Sequence, residues 1–212
     1  MENINHDEVW EKVKPYIRKS KNMNLENVKS KLEFYHKELN LNQDDLTKFF
    51  LRYPQTIVFD TVSDAPTSAK SKLNVFDMLG VDRKNIVEHP FLLIYPAMRL
   101  RFRYMLISEF FGDEQIFNTQ VLATNEAAIY ARYQYFKETF KKVEDHSNNL
   151  VATEKKFEKV YNIKTGDLIK KYPITEDVIK QVEEDYNNRN KNDKSRKQIS
   201  LTELEKEALL KR

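Results

Sequence analysis

Apolar residues return at helical spacing along nearly the whole chain, so the pattern is that of successive amphipathic helices. Trp10, Val13 and Ile17, flanked by Val9 and Tyr16, share one side of a first helix expected to end near Ser20. Val28, Leu32, Tyr35 and Leu39 trace the next stripe, and Leu46, Phe49 and Phe50 another, which stops at Tyr53 because Pro54 drives its predecessor out of the helical region. Leu73 and Phe76 mark a further helix, and Ile86 a short one closed by Pro90. Pro96 suits the first position of a helix whose inward stripe is Leu100, Tyr104, Ile107 and Phe111. Phe102, Leu106 and Phe110 make that helix apolar around most of its circumference, so it is expected to be the most buried. After a loop at 119–125, Ile129, Tyr133, Phe136, Phe140 and Val143 predict one long helix, broken at 145–149. Phe157 and Tyr161, then Leu168 and Ile169 up to Pro173, then Val178, Val182 and Tyr186 complete the array.

Between these helices one junction recurs. Asn40, Gly80, Gly112 and Asn162 each follow an apolar residue and precede a new helix start. Glycine, and asparagine at some cost, accept the left-handed conformation that commonly ends a helix. Beyond three of the junctions an apolar pair stands at staple spacing, Leu41 with Leu46, Val81 with Ile86 and Ile163 with Leu168, which fixes how the next helix enters. The Gly112 junction lacks such a pair. Each junction predicts an αα-hairpin, and the fold class expected is all-α, a right-handed stack of hairpins forming a short α-solenoid. The expected organisation is a helical-repeat domain over 1–188, with 1–22 as its capping helix, followed by 189–212 as a basic linker and a terminal helix. In that last segment Ser200 with Glu203 reads as a capping box and Ile199 with Leu204 as a staple, while Leu201, Leu204, Ala208 and Leu209 form an apolar side that needs a partner.

Composition narrows the function more by exclusion than by suggestion. Only 3 glycines and 6 prolines oppose a turn-rich β protein, and the absence of cysteine removes disulfides, thiolate metal sites and thiol nucleophiles. No apolar run has the length of a membrane span, and Glu2, Asp7, Glu8 and Glu11 are unlike a targeting peptide, so an intracellular setting, cytoplasmic or organellar matrix, without membrane partner is expected. His6, His36, His89 and His146 are scattered with no metal-ligand spacing, and there is no phosphate-binding glycine loop or nucleophile elbow. The expectation is a non-enzyme without cofactor or metal. The net charge of +3 sums 36 basic and 33 acidic side chains, and no block of the chain dominates, so any basic surface has to be assembled by folding.

The stretch from Val28 to Gly112 resembles the repeat of the mitochondrial transcription termination factor (mTERF) family. The matching residues are Leu39-Asn40-Leu41 with Leu46 up to Tyr53-Pro54, Leu79-Gly80-Val81 through Ile86 to Pro90-Phe91-Leu92-Leu93, and Arg99-Leu100-Arg101-Phe102-Arg103-Tyr104 leading to Phe111-Gly112. Tyr161-Asn162-Ile163 to Tyr172-Pro173 echoes the same order. The resemblance implies a curved helical array holding a nucleic-acid duplex on a concave basic face, with a role in transcription termination or gene expression.

Candidate contacts follow from chemistry as well. Arg52, Arg103, Arg132 and Lys171 each stand directly before a tyrosine, which puts a cation for phosphate beside an aromatic face for a base. Tyr104 and Tyr133 also lie on inward stripes, which makes them core residues on the alternative reading. Arg99 and Arg103 share a helix side and either hold phosphates or cover the core and bond carbonyls, while Arg101 projects elsewhere as the solvent-facing charge. Arg189, Lys191, Lys194, Arg196 and Lys197 form a basic tract that clamps phosphate or is simply a solvated linker. Two functions are therefore expected in competition: binding of duplex DNA or structured RNA, or a protein-interaction scaffold whose terminal helix docks on a partner.

Overall fold

The computed structural model describes residues 4–17, 23–65, 67–111, 124–192 and 198–211, and among them the regular elements are all helical. The chain divides into two compact units, Met1–Pro96 and Ala97–Arg212.

The first unit contains α1 (His6–Val13), α2 (Leu25–Leu39), α3 (Gln43–Arg52), α4 (Ala69–Met78) and α5 (Arg83–Glu88), with 3-10 turns at Lys14–Tyr16, Pro54–Val58 and Pro90–Ile94. Each α-helix begins on a polar side chain that accepts from its first turn: Asn5, Asn24, Asn42, Ser68 and Asp82. The core is the sum of their apolar faces, with Val28, Leu32, Tyr35, Leu46, Phe50, Ile57, Phe76, Ile86 and Leu92 fully buried. Tyr35 packs against Phe49 and Phe50, and its hydroxyl donates to the Thr56 carbonyl at 3.1 Å, tying the hairpin to the 3-10 turn that follows.

Asn40, Gly80 and Asn162 take the left-handed backbone expected of them, at φ 51°, 73° and 53°. At the first two, the N–H beyond the turn reaches back five residues, from Leu41 to His36 and from Val81 to Phe76, as in a Schellman stop. The His36 ring is bonded through Nδ1 to the Leu41 carbonyl, and since a carbonyl can only accept, Nδ1 carries the proton. A second geometry repeats at three further helix ends. Tyr53, His89 and Tyr172, each followed by proline, sit at φ/ψ of −145°/79°, −129°/66° and −125°/70°.

The second unit is built from α6 (Ala97–Ile107), α7 (Glu126–Thr139), α8 (Ser147–Leu150), α9 (Glu154–Tyr161), α10 (Thr165–Lys171), α11 (Glu176–Arg189) and α12 (Glu203–Leu210). As its sequence predicts, α6 is buried around most of its surface, including Leu100, Phe102, Tyr104, Met105, Leu106 and Ile107.

Several boundaries differ from expectation. The first helix gives way to a 3-10 turn after Val13 and ends before Ile17. α7 stops at Thr139, where Phe140 turns extended so that its ring stacks on His146 at 3.9 Å, leaving Val143 outside the helix. The region 145–149 is a 3-10 turn running into α8 rather than a break. α11 continues through Tyr186 to Arg189, because the buried Tyr186 ring packs on Tyr104. The terminal capping box is Thr202 with Glu205, two residues beyond the Ser200 and Glu203 pair. The later register buries Leu201 and Leu209 and leaves Leu204 exposed. Gly112 and the segment 112–123 lie outside the described residues.

Candidate nucleic-acid interface

The arginines singled out by the sequence point largely inward. Arg99 and Arg103, one turn apart on α6, both donate to Glu126, the first residue of α7. Burial would raise the Glu126 pKa, but the Arg99 hydrogen bond and the charges of both guanidinium groups outweigh it and hold the carboxyl below its ordinary value. Arg103 is only 2% exposed. Arg132 is 1% exposed; its Nη1 donates to the Leu150 and Ala152 carbonyls at 3.0 and 2.7 Å, and its Nη2 to the Thr165 hydroxyl at 2.8 Å. The guanidinium also lies 4.3 Å from the centre of the Phe157 ring. Burial pushes its pKa down to about 10, with Glu154 acting weakly in the other direction. Arg132 thus bonds carbonyls, the role also expected of an arginine that covers the core.

Arg101, expected to face solvent, bonds the buried carboxylate of Glu205 on α12 at 3.1 Å. Arg189 is the last residue of α11 and joins Glu109 and the Met105 carbonyl. Arg52 donates to the Val87 carbonyl at 3.3 Å and remains exposed, and Lys171 bonds Glu138 at 2.8 Å, also on the surface. Lys194, Arg196 and Lys197 lie outside the described residues. The structure therefore draws Arg99 and Arg103 together on one carboxylate and distributes the others.

Exposed lysines make a different pattern. In the first unit Lys12, Lys14, Lys29, Lys37, Lys48, Lys70 and Lys84 each have an acidic partner. In the second, Lys141, Lys142, Lys155, Lys156, Lys159 and Lys164 are exposed, and none is in an ion pair among the described residues. α9 turns Phe157 into the core and Tyr161 toward His146 and Asn149, so Lys155, Lys156, Lys159 and Val160 are left on its outer side. Phe140 meets Tyr161 at 5.9 Å, so Lys141 and Lys142 follow in the chain a residue packed on the end of α9. In the sequence the signal for this face is lysines at 155, 156 and 159 around an inward Phe157.

Nearby, a cleft of about 420 Å³ opens between α7, α9 and α10, lined mainly by apolar groups including Ala128, Val151, Ala152 and Ile169, with Arg132 in its wall. In the first unit Lys72, which no sequence motif marks, is 2% exposed. Its ammonium donates to the Leu93 carbonyl and sits 3.8 Å from the centre of the Phe59 ring. Burial brings its pKa down to about 8.

Among the described residues no three His, Asp or Glu side chains gather closely enough to hold a metal ion, and no helix is long and apolar enough to cross a membrane. No protein-family model matches the chain. Neither does any curated protein or any solved structure.

Proposed function

We propose that this chain is a non-catalytic nucleic-acid-binding protein that holds the phosphate backbone of duplex DNA or structured RNA, in the service of transcription termination or another step of gene expression. The observation that carries the reading is the group of unpaired, exposed lysines at 141, 142, 155, 156, 159 and 164. A lysine already paired with a carboxylate has little to gain from a phosphate, whereas an unpaired one releases the phosphate's condensed counterions at no internal loss. The resemblance to the mTERF repeat supports the same reading. So does the shared geometry of the helix ends, left-handed at Asn40, Gly80 and Asn162 and non-helical before Pro54, Pro90 and Pro173, which fits copies of one stacked unit.

The test is an electrophoretic shift with labelled duplex DNA and duplex RNA across a salt series. Each lysine that contacts a phosphate contributes about 0.9 to the slope of log K against log salt on B-DNA, so replacing Lys155, Lys156 and Lys159 by Gln is expected to flatten the slope by about 2 to 3. Absence of binding to either duplex at low salt would overturn the reading.

A second reading, an interaction scaffold, draws on Val58 and Ile94. These residues end two equivalent 3-10 turns, each four positions after its proline, and are 41% and 40% exposed. Co-purification before and after nuclease treatment separates the two, since a protein-binding scaffold keeps its partners when nucleic acid is digested.

A further inference from the structure

We propose that Arg101, on the face of α6 beneath the C-terminal helix, is a phosphate-binding position that the chain keeps closed with its own Glu205. The inference rests on the nucleic-acid reading and adds to it a means of regulation.

Arg101 is poorly served by the partner it has. One Nη group donates to one oxygen of Glu205, while Nε is buried without a hydrogen-bond partner among the described residues. A guanidinium presents its N–H groups as a planar fork suited to two oxygens at once, and phosphate offers them in that spacing. Glu205 cannot rotate to meet the fork. Its Oε2, the oxygen on Arg101, also accepts from the Thr202 N–H at 2.9 Å and hydroxyl at 3.2 Å as part of the capping box. Cap and counter-ion are the same carboxylate, so the helix start and the masking of Arg101 stand or fall together.

The helix that carries Glu205 is held largely by polar clasps. The Leu201 N–H donates to Glu183, Lys206 lies 3.5 Å from the same carboxylate, and the Asn187 side chain bonds the N–H and carbonyl of Ile199 at 2.9 and 2.8 Å. Ile199, Leu201 and Leu209 are its buried apolar contacts, while Leu204 is 70% exposed. Among the described residues Glu205 is the carboxylate paired with Arg101, so removing it leaves that guanidinium without a counter-ion there. A polyanion that supplies two oxygens to Arg101 competes with Glu205 and releases α12.

The experiment titrates the full-length chain with a labelled duplex at fixed salt, comparing wild type with Glu205→Gln, Thr202→Ala and Glu205→Gln combined with Arg101→Gln. Opening the site adds one phosphate contact, so Glu205→Gln and Thr202→Ala are expected to bind about three- to tenfold tighter, with a salt slope steeper by about 0.9 for Glu205→Gln. The gain vanishes when Arg101 is also replaced. Hydrogen exchange on wild type should show the amides of α12 exchanging faster with duplex bound, a readout independent of any substitution. If wild type binds and neither single variant binds tighter, the mask is refuted and the nucleic-acid reading survives. If a gain persists without Arg101, the site is misplaced and the inference falls. Binding by none of the proteins at low salt removes both.

Discussion

Replacing Arg132 tests most directly how the second unit is held together. In Arg132→Met the aliphatic stem is kept and the guanidinium removed, so the Leu150 and Ala152 carbonyls lose their donor. A buried carbonyl left unpaired costs about 1 to 3 kcal/mol. The contact over Phe157 adds up to about 2 kcal/mol when desolvated. Opposing these losses, the variant no longer buries a charge, a relief of several kcal/mol in an apolar setting. The relief is incomplete, because the cleft beside Arg132 admits water near the charge in the wild type and near the orphaned carbonyls in the variant. No buried carboxylate is stranded either, since the side chain bonds neutral oxygens, so the loss falls below the roughly 3 to 5 kcal/mol of a broken buried ion pair. The net expectation is a destabilisation of about 2 to 3 kcal/mol, with Arg132→Lys losing about half as much because it keeps the charge but not the fork. Urea unfolding followed by far-ultraviolet circular dichroism measures this, fitted with the two units allowed separate transitions. The folded variant should bind duplex within twofold of wild type, as a side chain 1% exposed offers no surface to a phosphate. A variant as stable as wild type that binds duplex weakly would show that Arg132 belongs to the interface and that the reasoning here is wrong.

At Gly80 the space around an added Cβ is empty but φ is +73°, so Gly80→Ala pays only for backbone strain, about 1 to 2 kcal/mol in a urea titration. Gly166 in α10 is equally open without positive φ, and Gly166→Ala should instead stabilise by about 0.5 to 1 kcal/mol; an equal response at the two sites would refute the junction geometry. For Lys72, burial lowers the native pKa from 10.5 to about 8, so between these values the unfolded chain holds a proton that the native one has released. Stability conferred through this group therefore rises with pH across that window and is flat below it. Lys72→Met should be most favourable relative to wild type at neutral pH and lose that advantage toward pH 10; parallel stability profiles for the two proteins would exclude an ammonium buried at a cost.

What was legible in the sequence is what the backbone decides locally. A left-handed stop favours Gly or Asn, and a proline disfavours helix at the residue before it, so Asn40, Gly80, Asn162, Tyr53, His89 and Tyr172 revealed the helix ends from a few residues each. The burial of α6 was legible too, because apolar residues around a whole circumference leave a helix no side for water.

The fate of the charges was not. Periodicity tells which side of a helix an arginine occupies but not what lies opposite: the partner of Arg99 is 27 residues away, that of Arg132 33, and that of Arg101 104. The same distance in sequence chose between two capping boxes that look alike, since only the Thr202 register delivers Glu205 to Arg101 while burying Leu201 and Leu209. Helix stops are set by torsional limits within a few bonds, whereas the solvation of a charge depends on groups that folding alone brings near it, so the sequence by itself determined where helices end and the tertiary structure decided which cations are paired.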